Sequence, residues 1–278
     1  MNTRSLPKAG LLFASAAALI GPAMAAAKPT IETREIRYDV DGQTFKGILA
    51  FDKSITAKRP GVLVCHEWWG NNDYSASRAR QLAELGYVAF ALDVYGAGKV
   101  TTSPEQAGKW AGELYDDMDA MRNRARAGLK VLTEQKMVDA GNIAAIGYCF
   151  GGTVALELAR TGADLGAVVC FHTSSLAAAD PAMNENIKAR VLICHGAADP
   201  LTKTEELEKF TKQMEGANVK YEIKHYAGAK HSFTNPGAGD VGMEAVGYNA
   251  EADKASWQDM RSLFAATIGA PDKMGNGD

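Results

Sequence analysis

Apolar residues fall in two rhythms along this chain. Gly61 to Cys65, Tyr87 to Leu92, Ile143 to Ile146, Ala167 to Phe171 and Val191 to Cys194 are short continuous runs. Runs of this kind suit parallel strands buried on both faces. Between most of them the spacing is helical. Residues 75–85 set Ala79, Leu82 and Ala83 on one face. Residues 104–135 read as one long helix, opened by Ser103-Pro104 and striped by Trp110, Leu114, Met118, Met121, Ala125, Leu129 and Leu132. Thr202 and Glu205 form a capping box ahead of Leu207, Phe210 and Met214. Residues 31–51 alternate as two antiparallel strands around an Asp41-Gly42 turn. Val219, Tyr221, Ile223 and His225 alternate with polar neighbours, as an edge strand does, and a last helix near 249–267 buries Trp257, Met260 and Phe264. Strands alternating with helices predict an α/β fold with a mostly parallel sheet and helices on both faces. No repeat or linker divides it, so residues 26–278 read as one domain, with a frayed polar tail from Lys273.

The chain start follows another pattern. Arg4 and Lys8 precede an apolar run from Leu11 to Gly21, and Ala23-Met24-Ala25 fits a cleavage site. This predicts a cleaved export signal over residues 1–25 and a periplasmic or secreted protein. The run is too short to span a bilayer, so no membrane anchor is expected after cleavage. With 46 % hydrophobic and 23 % charged residues, the remainder is an ordinary globular chain. A net charge of −3 without a basic run argues against nucleic-acid binding. Four cysteines without CxxC spacing argue against a disulfide scaffold and a zinc site. Cys65, Cys170 and Cys194 end buried strands and read as packed thiols. Neighbouring parallel strands rarely offer disulfide geometry, which argues against a Cys170–Cys194 bridge. Glu113, Asp116, Asp117 and Asp119 read as a solvated helix face, and no metal or cofactor is expected.

Chemistry concentrates after the third continuous run. Ile143 to Ile146 leads into Gly147-Tyr148-Cys149-Phe150-Gly151-Gly152, with a helical pattern from Thr153. This is G-x-C-x-G, a nucleophile elbow with cysteine in place of serine. Cys149 would stand at a helix N-terminus, where positive potential favours thiolate. The Phe150 N–H would face a developing oxyanion. An elbow calls for an acid after a later strand and a histidine after the next. Asp199, in Gly196-Ala197-Ala198-Asp199-Pro200, meets the first demand. His66, His172, His195 and His225 sit at or in strands; His231, in the loop before the last helix, meets the second. His231 would act as base and Asp199 would orient it.

With Cys65-His66-Glu67-Trp68-Trp69-Gly70, the elbow, His195 to Asp199 and Gly228 to Phe233 in hand, the chain resembles the dienelactone hydrolase family over about residues 31–268. The resemblance implies an α/β-hydrolase fold with an eight-stranded, mostly parallel sheet and no large lid. It implies a small ester or lactone as substrate. It implies that Glu67 contacts the resting nucleophile and that the Trp68 N–H is the second oxyanion donor. Trp68, Trp69, Tyr95, Phe150 and Phe233 would line the mouth of the pocket. One departure stands out: members that act on dienelactone carry an arginine four residues after the histidine, and here that residue is Asn235. The expected substrate is therefore an apolar ester or lactone, including aromatic ones. A non-catalytic binding protein on the same scaffold is the alternative, although it needs none of the triad positions filled. A thiol-redox protein would need a resolving cysteine, and none is near Cys149 in sequence.

Overall fold

The computed structural model describes Met1 and residues 28–271, so both the expected export signal and the polar tail lie outside the described residues. Strands β1 (Ile31–Val40) and β2 (Gln43–Asp52) form the first hairpin. Asp41 and Gly42 both take positive φ, as a tight hairpin turn between twisted strands requires. The chain continues through β3 (Arg59–Cys65), α1 (Asp73–Glu84), β4 (Val88–Leu92), α2 (Pro104–Asp116), α3 (Met118–Thr133), β5 (Val138–Tyr148) and α4 (Phe150–Arg160). It ends with β6 (Ala167–Phe171), β7 (Arg190–Gly196), α5 (Thr204–Gly216), β8 (Tyr221–Tyr226) and α6 (Ala250–Thr267).

The eight strands make one sheet in the order β1-β2-β4-β3-β5-β6-β7-β8. The pairs β1–β2 and β2–β4 are antiparallel, and the other neighbours are parallel. One core lies under α2 to α5 and includes Leu114, Met121, Leu132, Val154, Leu158 and Phe210. The other lies under α1 and α6 and includes Ala79, Leu82, Met260 and Phe264. The central strands face both cores, which is why they read as unbroken apolar runs. Strand order reverses around β3 and β5. That leaves a crevice beyond their C-terminal ends, where open α/β sheets hold ligands.

Two sequence expectations are corrected, and the cysteines are as expected. The expected single helix over 104–135 is two, because Asp117 leaves helical geometry at φ −127°, ψ 77°. Its carboxylate accepts the Ala120 N–H at 2.9 Å and caps α3, so it is a helix start inside what looked like one stripe. Thr202 does not cap α5, which begins after Lys203 with no side-chain cap. The four cysteines are free. Cys170 and Cys194 sit in adjacent strands, but Cys170 packs into the core under α2–α5 and Cys194 into the opposite one. Side chains that point to opposite faces of a sheet cannot be bridged.

Candidate active site

Cys149 occupies the turn between β5 and α4 at φ 54°, ψ −120°, a conformation rare for any residue with a Cβ. Two glycines make the turn possible. A Cβ on Gly147 would collide with the Gly151 carbonyl, and one on Gly151 with the carbonyls of Cys65 and His66. The Cys149 N–H donates to the Phe171 carbonyl at 2.9 Å, which ties the turn to β6. Cys149 is half-buried, whereas the other three cysteines are buried and their thiols are pushed far up by burial. One cysteine is thus available for chemistry.

His231 and Asp199 meet at 2.8 Å, Nδ1 to Oδ2. Asp199 follows β7, and its other oxygen accepts the Leu201 N–H at 2.8 Å. The Thr202 hydroxyl, expected at a helix cap, donates instead to Asp199 Oδ2 at 3.2 Å. Burial alone would raise the Asp199 carboxyl. The bond to His231 and its charge, then Leu201 and Thr202, outweigh burial and hold the carboxyl below its usual range. The His231 loop is pinned by its own backbone, N–H to the Ala245 carbonyl at 3.2 Å and C=O to the Gly247 N–H at 3.0 Å. The His231 ring packs edge-on against buried His172, whose Nε2 bonds the Thr234 hydroxyl at 2.7 Å. Burial, then the His231 and Arg78 charges, keeps His172 neutral.

Burial also opposes protonation of His231, but Cys149 and Asp199 overcome it and raise the imidazole to about 10. The sign of the linkage follows. A folded-state value above the ordinary ~6.5 gives stability that is complete below that value and lost as pH rises through about 10. Unfolding free energy in denaturant is therefore expected to fall between pH 7 and 10. The fall should be steeper in the wild type than in Cys149→Ala, which lacks one of the two partners that raise His231. Equal slopes would remove Cys149 as a partner of His231.

Glu67 lies just beyond β3 and is buried. Its carboxylate accepts from the Ser232 hydroxyl at 2.9 Å and from the Asn235 amide at 2.7 Å. Burial raises its carboxyl, and Ser232, Asn235, His231 and Arg78 counter only part of that. Glu67 thereby fastens the His231 loop to the end of β3. Ser232, at φ 55°, went unnoticed in the sequence because its partner is far away in the chain.

A cavity of about 210 Å³ opens beside Cys149 and His231. Trp68, Trp69, Phe150 and Asn235 line it, as do Tyr115, Leu201, Met243 and Val246, which sequence reasoning missed. Neither lysine nor arginine is in its wall. Tyr95 and Phe233, expected at the mouth, are not in the wall. Tyr95 is buried behind Phe150, and Phe233 is buried against His172 and Tyr226. A larger groove of about 690 Å³ runs along β8 and α6, but neither cysteine nor histidine lines it. Among the described residues no three His, Cys, Asp or Glu side chains converge as a metal site, and no helix is long and apolar enough to cross a membrane.

An eight-stranded sheet with a cysteine elbow, an Asp–His pair at successive strand ends and a cavity over them defines a protein of the α/β-hydrolase class. A profile of the dienelactone hydrolase family matches residues 45–268, and the chain belongs to that family. It is 28 % identical to Protein usf of Aquifex pyrophilus and 27 % identical to a putative carboxymethylenebutenolidase of Aquifex aeolicus. Each alignment covers 74 % of this chain and 89 % of the relative. A solved structure named m3DLH superposes with a TM-score of 0.83 at 42 % identity, over 86 % of this chain and 99 % of that one. A dienelactone hydrolase-like promiscuous phosphotriesterase from metagenomic libraries does so with the same TM-score and coverage at 37 % identity.

Proposed function

We propose that this protein hydrolyses uncharged carboxylic esters or lactones, with Cys149 as nucleophile, His231 as base and Asp199 as the group that orients it. The observation that carries this reading is the 2.8 Å His231–Asp199 bond beside the one accessible thiol, at a cavity whose wall holds neither lysine nor arginine. His231 takes the thiol proton, and Cys149 Sγ attacks the carbonyl carbon. The N–H groups of Phe150 and Trp68 receive the oxyanion. The tetrahedral species collapses by expelling the alkoxide, which His231 protonates. Water, deprotonated by His231, then attacks the thioester and releases the acid and the thiol. Asp199 fixes the Nδ1–H tautomer, so that Nε2 faces the reaction.

Charge narrows the substrate class. The residue four beyond His231 is Asn235, which is bonded to Glu67 rather than free to bind a carboxylate. A wall rich in aromatic and aliphatic side chains, with an acidic side chain fastened behind it, favours uncharged acyl groups. The same wall suits neutral phosphotriesters, the class named for the 37 % identical structure. We also propose that the chain is exported, on the strength of Leu11–Gly21 and Ala23-Met24-Ala25. Mass spectrometry of the mature protein tests this.

Alkylation separates the enzyme from the binding-protein reading. One equivalent of iodoacetamide is expected at Cys149, with loss of activity on a neutral aryl ester in proportion to labelling. Full labelling with undiminished hydrolysis would overturn the assignment. Paired neutral and carboxylate-bearing lactones, with a phosphotriester as a third arm, rank the substrate classes.

A further inference from the structure

Thr234 stands three residues after His231 and is fully buried. Its hydroxyl meets two partners. Tyr74 Oη, from α1, lies 2.6 Å away, and His172 Nε2, just beyond β6, lies 2.7 Å away. Its carbonyl accepts from Arg78 Nη2, which also donates to Asp253 Oδ1 of α6 at 2.7 Å. Arg78 Nε reaches back to Tyr74 Oη at 3.3 Å. One residue of the His231 loop is thereby joined to α1, to α6 and to the end of β6. These bonds end at the imidazole of the triad, because the His172 ring packs on the His231 ring with centroids 5.3 Å apart at 66°.

Proton directions along this series of bonds are not free. Arginine has donors only, so Tyr74 Oη accepts from Arg78. Burial holds the Tyr74 phenol well above its usual range, so it keeps a proton to give. Thr234 takes that bond and passes its own proton toward His172 Nε2. The reverse direction would set two donors on Tyr74 Oη. The phenol proton would then have no acceptor among the described residues, and a buried donor left unpaired destabilises a fold. Nε2 is therefore an acceptor. His172 is neutral, so its one ring proton sits on Nδ1. The ring cannot turn about Cβ–Cγ without breaking its bond to Thr234. Its backbone is held as firmly, at φ 42° with the N–H donating to the Cys194 carbonyl at 2.9 Å. Phe233 packs on the ring as well, at 5.3 Å.

We propose that Thr234 and His172 are positioning residues for the base: the bonds that run from Arg78 through Tyr74 and Thr234 fix the His172 ring, and that ring sets the plane in which His231 meets Cys149. The inference rests on His231 being the base. Asp199 holds the imidazole at one atom, Nδ1, at 2.8 Å. A single bond leaves the ring free to pivot about it, and the fixed face of His172 removes that freedom. Neither Thr234 nor His172 is in the wall of the cavity beside Cys149, so neither meets the substrate. Disturbing them is felt at the reacting atoms through a misaligned base, which lowers kcat and leaves KM alone.

The test compares the full-length wild type with Thr234→Val and Thr234→Ser. Valine keeps the shape and loses the hydroxyl; serine keeps the hydroxyl and loses the methyl. Nitrogen-15 NMR of the wild type is expected to show His172 with a bare Nε2 and a protonated Nδ1 at pH 7. A protonated Nε2 overturns the inference, and this spectrum decides even if valine is not tolerated. For Thr234→Val, kcat on a neutral aryl ester is expected to fall about tenfold, with KM within about twofold of the wild type. The His231 Nδ1–H resonance should broaden in the same variant. Serine should restore both. An unchanged kcat in Thr234→Val overturns the inference, and so does a loss carried by KM. A serine variant as slow as the valine one would assign the effect to methyl packing and overturn it too. Hydrolysis that survives alkylation of Cys149 sinks the triad itself. An enzyme that alkylation kills, but that turns over normally as Thr234→Val, sinks the role of Thr234 alone.

Discussion

Cys149→Gly is expected to be inactive and yet more stable than Cys149→Ala. Both variants lose the thiol and the attraction it exerts on His231, so their difference isolates the backbone. Position 149 sits at φ 54°, ψ −120°. Alanine must carry a Cβ in that sparsely allowed region, at a cost of roughly 1–3 kcal/mol, whereas glycine reaches it freely. Cys149 is also the N-cap of α4, a position where glycine outranks alanine by a smaller margin even without strain, so the gap should exceed that ordinary preference. Catalysis should be lost equally. Removing the nucleophile of a comparable triad costs about 10⁶ in kcat, so both variants should fall to the assay background. The checks are initial rates on a neutral aryl ester and denaturant midpoints for the two variants. Alanine at or above glycine in stability would mean that the elbow stores no strain. A measurable rate in either would displace Cys149 from the chemistry.

What could be read in the sequence, and what could not, divides along a physical line. The elbow was legible because its requirements are local: glycines where a Cβ would strike backbone, after an apolar strand and before a helix. Asp199 and His231 were legible through chain order, since each follows a strand in a parallel sheet and strand ends converge. Parallel strands were legible because burial on both faces leaves no polar alternation. Depth was not legible. Tyr95 and Phe233 are aromatic residues near the right strand ends, but periodicity reports which way a residue faces, not what lies in front of it. Phe150 stands before Tyr95, and His172 and Tyr226 pack over Phe233. Dual-purpose polar residues were misread for a related reason. Thr202 and Asp117 each fit a local role, and only the tertiary contact of Thr202 with Asp199 and the backbone break at Asp117 decide the real one. The resemblance assigns Glu67 a place at the resting thiol, and its further partners could not be read from the sequence. Its ties to Ser232 and Asn235 depend on a loop 165 residues further on.

Asp199→Asn should cost about 10³–10⁴ in kcat/KM with only a small change in Tm. Asparagine has the shape of aspartate, so an amide oxygen turned toward Leu201 keeps that 2.8 Å bond. The amide nitrogen then takes the place of Oδ2, which now accepts from Thr202 and His231. That reverses the polarity at His231 Nδ1. An amide N–H donates where the ring must also donate, so the ring shifts its proton to Nε2. It then has no lone pair facing Cys149 or the hydrolytic water, and general-base catalysis fails although every atom is near its place. The carboxylate charge is lost as well. Asp199 is one of the two partners that lift His231 to about 10, so the midpoint of its titration should move down toward the ordinary imidazole range. Two measurements follow: kcat/KM on a neutral ester, and the His231 titration followed by NMR of its imidazole. A loss below tenfold would mean that Asp199 only shapes the loop after β7. A large loss with an unmoved His231 midpoint would leave the tautomer, rather than the charge, as its whole contribution. Thr202→Val is the companion variant. It removes a hydroxyl from the same carboxylate oxygen but keeps the charge, so its effect should be about tenfold or less and should leave the tautomer intact.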